Sequence, residues 1–171
     1  MKKSEIEECI ARYGKDVYSF CCYLTANRTE ADDLYQDTFV KAMERGITLD
    51  RNPKSFLLSI ACKLWKNKRR KDLNAGRLFC REDVSCINEN DFQIRHENSA
   101  EAIAMQNDTN ARIQNAVRKL PEKLKITALL YYMEERSVEE IADILHIPKG
   151  TVKSRLFQAR KRLYKELEEV L

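Results

Sequence analysis

The sequence predicts an all-α protein, and two observations point to that class: few turn residues and the helical spacing of apolar residues. The 171 residues include four Gly and three Pro, well below the roughly 12% that these two residues reach together in average proteins. Folds that need many tight turns are therefore disfavoured. Hydrophobic residues still make up 43% of the chain, enough for packed helices.

No apolar run approaches the roughly 18 residues that a membrane span needs. The first residues carry acids where a signal peptide would be apolar. We therefore expect a cytoplasmic protein without direct membrane insertion.

Three long helices are predicted in the first part of the chain. The first covers about residues 5–24, and its buried stripe is Ile6, Ile10, Tyr13, Val17, Phe20 and Leu24. The second covers about 30–44, with a capping pair at Thr29 and Asp32 and a stop before Gly46. Its inward face is Ala31, Leu34, Thr38 and Ala42. The third covers 54–72 after Pro53, with a buried stripe at Leu57, Ile60, Ala61 and Leu64.

Charge and composition divide the chain into three parts. The net charge is +4 over residues 1–75, −4 over 76–111 and +4 over 112–171. The middle part is polar and rich in Asn, with a short helix predicted near 99–106. Because structureless connections of that length are uncommon inside one compact domain, we expect two small helical domains, 1–75 and 112–171, joined by a flexible acidic linker. Basic ends suggest contact with a polyanion, although charge differences of this size also arise by chance.

Six cysteines could suggest disulfides or a metal site. Four of them, Cys9, Cys21, Cys22 and Cys62, fall inside predicted helices, so we expect reduced thiols in a core. Cys80 and Cys86, with His96, lie in the polar middle part, but the chain has no paired CxxC spacing. We therefore predict no metal and no cofactor.

The most informative stretch is the C-terminal 137–163. Helices over about 112–119 and 122–134 precede it, separated at Pro121. Ser137 and Glu140 form a capping box for a short helix, and a turn over 146–150 with Ile147 as an apolar plug leads into a helix from Thr151. Its buried stripe is Val152, Leu156, Ala159 and Leu163, and its outer face is Lys153, Ser154, Phe157, Gln158, Arg160 and Lys161.

This arrangement is typical of a helix-turn-helix, in which the second helix reads base edges and holds phosphates. An ordinary helical hairpin with a charged solvent face is the alternative. The coincidence of cap, turn, stripe and donor-rich outer face favours DNA binding.

These residues resemble a known family. The segment SVEEIADILHIPKGTVKSRLFQARKRL, after LPEKLKITALLYY, resembles region 4 of the extracytoplasmic-function sigma factors of bacterial RNA polymerase. ADDLYQDTFVKAME and NPKSFLLSIACKLWKNKRRK are similar to the region 2 helices that meet the core enzyme and the promoter −10 element. The resemblance covers nearly the whole chain in the family's order.

The resemblance implies roles for three groups of residues. The core-binding face would be Asp33, Gln36 and Asp37 with Leu34 as packing partner. The −10 element would meet Lys63, Lys66, Asn67, Arg69 and Arg70. The loop 46–55 would capture a flipped base, with Phe56 packing beneath it and Trp65 expected in the core. The −35 element would be read by Lys153, Ser154, Phe157 and Gln158, with Arg155 and Arg160 on the backbone.

Two of these surfaces have plainer explanations. A solvated acidic face is the alternative for the second helix, and cations at the end of the third helix also favour its dipole. His146 stands where relatives commonly have Gly. If the turn there needs a left-handed conformation, histidine tolerates it at some cost in free energy.

The resemblance implies a sigma factor with three partners: core polymerase, promoter DNA and an anti-sigma factor, with no small-molecule substrate. The alternative is a stand-alone helix-turn-helix regulator. An enzyme is disfavoured and no catalytic residue is predicted, because the chain has only two His, no glycine-rich phosphate loop and no nucleophile beside a base.

Overall fold

A computed structural model describes residues 3–25, 27–46, 52–76 and 100–168. The described residues form helices and no strands. Most of the predicted linker, residues 77–99, lies outside the described residues, and so do Cys80, Cys86 and His96.

The N-terminal half consists of α1 (Lys3–Thr25), α2 (Arg28–Arg45) and α3 (Pro53–Asn74). The predicted cap of α2 is wrong: Asn27, not Thr29, is the N-cap, and its side chain accepts from the Glu30 amide at 3.2 Å. Asn52 caps α3 in the same way, accepting from the Ser55 amide at 3.3 Å. Pro53 opens α3, where its missing N–H costs nothing.

The three helices share a core built from the predicted stripes. Phe20, Leu24 and Leu57 are completely or almost completely buried, and burying each such side chain contributes roughly 1.5–3 kcal/mol. One stripe position is wrong: Ile10 is 42% exposed. It lies on the outer side of α1, beside Tyr35 of α2.

The C-terminal half consists of α4 (Ala100–Arg118), α5 (Glu122–Ala128), a π-helical segment (Leu129–Met133), α6 (Val138–Leu145) and α7 (Lys149–Glu168). α4 begins at residue 100 rather than near 112, so helix extends into the predicted linker. The single helix predicted over 122–134 becomes α helix followed by π helix. A wider turn of this kind is uncommon and shifts the direction of the residues that follow it.

The turn between α6 and α7 follows the prediction. Ser137 and Glu140 form both hydrogen bonds of the capping box. His146 ends α6 at φ 54°, ψ 49°, the left-handed conformation that the sequence suggested. Ile147 packs against the core. α7 starts at Lys149 rather than at Thr151, because the backbone is already helical across Gly150.

The two halves pack against each other. A continuous cluster of buried apolar side chains runs from α1 and α3 into the π segment and α6, and includes Leu58, Leu130 and Ile141. A smaller cluster, Leu120, Leu124, Ala128 and Ala159, joins α5 to α7. Among the described helices, none is long and apolar enough to cross a membrane.

Candidate nucleic-acid and protein interfaces

α7 presents one face to the core and the opposite face to solvent. Its predicted stripe is inside: Val152 and Ala159 are fully buried and Leu156 is 4% exposed. The donors and the aromatic residue predicted to meet DNA point outward, with Phe157 67% exposed. The exposed residues of this face are Lys153, Ser154, Phe157, Gln158, Arg160 and Lys161, and Arg155 is half-buried.

Neighbouring side chains order part of this face. The Gln158 amide donates to the Ser154 hydroxyl at 3.4 Å, one helical turn away. Arg160 Nε donates to the Tyr132 hydroxyl at 3.2 Å, which fixes the guanidinium against the π segment. Ser154, Arg155 and Gln158 also line a groove between α7 and the start of α5 at Pro121.

The second predicted DNA-binding group lies along α3. Lys63, Asn67 and Arg70 are exposed at steps of three and four, and therefore share one face of the helix. Lys66 and Arg69 are half-buried. The structure thus brings all five residues to the same end of α3, but with unequal access to solvent.

Arg69 is held by residues of both halves. Its guanidinium carbon lies 5.4 Å from the centre of the Trp65 ring, within cation–π range. Its Nε is 3.8 Å from Glu122 Oε2 at the start of α5. Burial first, and then the positive charge of Arg69, lower the pKa of Lys125 on α5. Arg69 therefore lies where the start of α5 approaches α3.

The residues before α3 lie at the same junction. Residues 47–51 of the predicted base-capturing loop lie outside the described residues. Asn52 donates to Glu140 Oε1 of α6 at 3.0 Å. Trp65 is buried, as expected for a core residue, and Phe56 is half-buried and packs against the core.

α2 carries the predicted acidic face. Asp33, Gln36 and Asp37 are exposed, whereas Leu34 is 5% exposed and packs in the core. Asp32 is partly turned away from this face because its carboxylate accepts from the Tyr18 hydroxyl at 2.8 Å.

The sequence reasoning missed an apolar extension of that face. Val40 and Met43 of α2 are 48% and 47% exposed. They lie seven and ten residues after Asp33, so the helical period places them on the same side. The spacing of these two apolar residues from Asp33 was the feature of the sequence that could have identified this extension.

It also missed an apolar groove at the junction of the halves. Tyr132 and Tyr164 are 51% and 65% exposed, and Ile113 is 41% exposed. With Leu129 and Tyr23 they line one groove between α1, α4, the π segment and α7. Exposed apolar surface grouped in this way marks interaction sites. The residues come from four separate elements, so no local pattern could reveal it.

The cysteines of the helices are structural. Cys9, Cys21, Cys22 and Cys62 are reduced thiols buried in the core, as predicted. Burial raises the pKa of the Cys62 thiol to about 12 and also raises that of Cys21, so neither forms a reactive thiolate at neutral pH. Within the described part of the chain, no group of three or more His, Cys, Asp or Glu residues is arranged to hold a metal ion.

Comparison with known proteins identifies both halves. Residues 9–73 match the family described as Sigma-70 region 2, and residues 110–163 match the family described as Sigma-70, region 4.

Relatives align along almost the whole chain. ECF RNA polymerase sigma factor SigW of Bacillus subtilis is 28% identical over 165 residues, which cover 92% of this chain and 86% of the relative. RNA polymerase sigma-H factor of Pseudomonas aeruginosa is 27% identical over 176 residues, covering 99% and 89%.

Solved structures share the fold. The sigma factor RpoE of Bartonella quintana, in complex with the anti-sigma factor NepR, superposes with a TM-score of 0.69 at 22% identity, over 98% of both chains. CnrH in complex with the cytosolic domain of CnrY gives 0.67 at 20% identity, over 98% of this chain and 90% of that one. With both sigma regions present in order, the chain belongs to the sigma-70 family, in the ECF group of RNA polymerase sigma factors.

Proposed function

We propose that this sigma factor divides its work among three helices: α7 reads the −35 element, α3 meets the −10 element and α2 binds the polymerase core. The observation that carries the proposal is the exposed, donor-rich face of α7 behind a fully formed capping box and turn. A sigma factor is an initiation subunit and not an enzyme, which agrees with the prediction of no catalytic residue.

The chemistry of α7 suits a major groove. Lys153, Ser154 and Gln158 offer hydrogen bonds to base acceptors, and the exposed ring of Phe157 suits the methyl group of thymine. Arg155 and Arg160 lie at the flanks of this group, where guanidinium groups contact phosphates without reading sequence. The hydrogen bond from Arg160 to the Tyr132 hydroxyl orients its guanidinium along this flank.

The chemistry of α3 suits a phosphate backbone. Lys63, Lys66, Arg69 and Arg70 place four cations on the last part of one helix, with Asn67 among them as a group that can both donate and accept. Charge of this density exceeds what the helix dipole requires and favours a polyanion.

The exposed face of α2 suits a protein partner. Asp33 and Asp37 offer carboxylates for charge-assisted hydrogen bonds to basic partner helices, and Gln36 lies between them. Val40 and Met43 add apolar area beside the acids. A polar rim around an apolar contact is the usual composition of a protein interface.

We also propose control by an anti-sigma factor. Two solved structures of the same fold are complexes of this kind, one with the anti-sigma factor NepR and one with the cytosolic domain of CnrY. In this chain the apolar groove lined by Tyr132, Tyr164 and Ile113 suits the apolar face of an amphipathic helix.

Run-off transcription with bacterial core polymerase and a promoter library tests the proposed function. We expect transcripts only when this protein is added, from templates that share two elements upstream of the start. Well-folded protein that supports no transcription would contradict the proposal.

The alternative is a stand-alone regulator, and a gel shift separates the two. A regulator binds an operator duplex tightly by itself, usually as a dimer, whereas we expect promoter binding to require the core enzyme.

A further inference from the structure

Two consecutive tyrosines lie on the π-helical segment Leu129–Met133. The first two residues of the segment are buried, whereas Tyr131 and Tyr132 are 37% and 51% exposed. The backbone has the wide hydrogen bond of a π helix, since the Glu134 amide donates to the Leu129 carbonyl at 3.1 Å. Segments of this kind are rare and are frequently found at functional sites. Here the segment turns two phenol rings toward the surface of the C-terminal half.

The Tyr132 hydroxyl reaches across to α7. It accepts a hydrogen bond of 3.2 Å from Nε of Arg160, which lies 28 positions further along the chain. The Tyr131 ring packs against Tyr132 edge to face, with ring centroids 5.0 Å apart, and supports it. Among the described residues, the bond to Tyr132 is the only polar contact of the Arg160 side chain. The terminal nitrogens of the guanidinium therefore keep their N–H groups for another partner.

The position of Arg160 on α7 restricts its side chain further. Arg160 borders the apolar groove, together with Leu163 and Tyr164 of the same helix and Tyr132 across from it. Arginine commonly lays its aliphatic stem along apolar surface of this kind and keeps its charged end in water. With Nε bonded to Tyr132 as well, the guanidinium has few orientations left.

The other arginine proposed to contact phosphates is held differently. Arg155 is half-buried on the other flank of α7, where it lines the groove beside Lys123 at the start of α5. No hydrogen bond or ion pair joins its side chain to another described residue. The two flanks of α7 therefore differ, because Arg160 is oriented in the free chain by a neighbouring hydroxyl and Arg155 is not.

Orientation before binding affects affinity. A surface arginine loses rotamer freedom when it settles on a phosphate, and this loss weakens binding. Arg160 has given up part of that freedom already, because its Nε is bonded to Tyr132. Loss of the hydroxyl would keep the positive charge on α7 but would remove the contact that directs it.

We propose that Tyr132 is a positioning residue for promoter DNA, and that its hydroxyl holds the Arg160 guanidinium in the orientation that meets a phosphate of the −35 element. This inference rests on the proposed function of α7 and adds a residue outside the helix-turn-helix to −35 binding. The π segment supplies the placement, since it carries the hydroxyl to α7. Because a phosphate contact reads no base, Tyr132 acts on affinity and not on sequence preference.

The test is a double-mutant cycle on holoenzyme, assembled from core polymerase and the full chain. Tyr132→Phe removes the hydroxyl and keeps the ring. Tyr131→Phe is the matched control, because the Tyr131 hydroxyl makes no hydrogen bond to a described residue. Fluorescence anisotropy with labelled promoter duplexes measures binding, and circular dichroism checks that each variant has the helix content of the wild type.

The cycle compares the two flanks of α7. We expect Tyr132→Phe to weaken promoter binding about fivefold, the effect of one lost hydrogen bond, and Tyr131→Phe to leave it unchanged. In an Arg160→Ala background, Tyr132→Phe should have no further effect, whereas in an Arg155→Ala background it should weaken binding by the same factor again. Equal losses in both backgrounds would show a structural role and would overturn the positioning.

Base preference separates positioning from a displaced α7. Tyr132→Phe should weaken binding to the same degree on promoters that carry single base changes in the −35 element. A changed order of preference would mean that the recognition helix has moved, and would overturn a role confined to Arg160.

Arg160→Ala alone separates this inference from the proposed function. If Arg160→Ala weakens promoter binding while Tyr132→Phe has wild-type affinity, the positioning role is wrong and the function of α7 stands. If Arg160→Ala itself binds like the wild type, the proposed phosphate contact of Arg160 is wrong and the positioning role is overturned with it.

Discussion

α3 and α7 have similar chemistry but different access to solvent. Both are long amphipathic helices with cations on the face away from the core. The apolar stripe of α7 packs against α5 and α6, whereas Phe157 and its neighbours stay exposed. α3 is packed by α1 and α2 on one side and by α6 on another, and Arg69 faces Glu122 across the junction.

This difference comes from the packing between helices and not from the composition of either helix. The composition of each helix suggests a DNA-binding surface, but only packing decides which surface is open in the free chain. The surface proposed for the −35 element is exposed, whereas the surface proposed for the −10 element is partly covered at Arg69 by the other half of the same molecule.

The largest expected effect concerns the proposed core-binding face of α2, which is separate from both proposed DNA-binding surfaces. The double substitution Asp33→Lys and Asp37→Lys should weaken binding to core polymerase about a hundredfold, because like charges that face a basic partner cost several kcal/mol. Duplex DNA binding by α7 should not change. The affinity for core, measured by fluorescence anisotropy, checks the first effect.

A matched control is available on α1. Glu8→Arg and Arg12→Glu exchange the charges of an exposed pair one turn apart and should alter core binding little. Equal losses of core and DNA binding in the double Asp variant would contradict the separation of surfaces.

The next effect distinguishes two kinds of contact on α7. Gln158→Ala should relax the preference for one base pair, with a cost of about 1–3 kcal/mol at that position. Arg160→Ala should weaken binding to all promoters alike and reduce the salt dependence by about one phosphate contact. Binding of the holoenzyme to a set of promoters with single base changes, at several salt concentrations, measures both.

The opposite pattern would exchange the two roles. If Arg160→Ala altered base preference and Gln158→Ala only weakened binding uniformly, the assignment of Gln158 to base reading and of Arg160 to phosphate contact would be wrong.

The smallest effect concerns the turn that orients α7. His146 is in the left-handed conformation, which costs an L-residue roughly 1–2 kcal/mol and glycine almost nothing. His146→Gly should therefore stabilise the C-terminal half by less than about 1 kcal/mol, because glycine also loses more freedom on folding. Thermal unfolding checks this, and a lower midpoint would show that the His146 side chain makes a favourable contact.

Local features of this fold could be predicted from sequence. The stripe of α7 and its capping box follow from residues close together in the chain, and the structure has both. The thiols in the core followed from their helical positions.

Features that depend on distant residues could not. Ile10 fits the stripe of α1 by spacing, yet its side chain is 42% exposed on the outer side of α1. Asn27 competes with Thr29 as the cap of α2, and both residue types are good caps, so the sequence cannot choose between them. The ion pair between Lys54 and Glu134 joins residues 80 positions apart. Glu134 follows a π-helical segment that the apolar periodicity of the sequence does not predict. The roles of Asp33, Lys63 and Lys153 stay predictions.

Lysine footprinting of the free, full-length chain tests the comparison of the two DNA surfaces most directly. In brief acetylation followed by mass spectrometry, Lys153 on the open face of α7 should react as an exposed lysine. Lys54, 15% exposed and paired on both sides, should react about tenfold more slowly, since its open form is a minor population. Glu134→Gln should bring the rate of Lys54 toward that of Lys153. Equal rates at Lys54 and Lys153 in the wild type would contradict a closed junction.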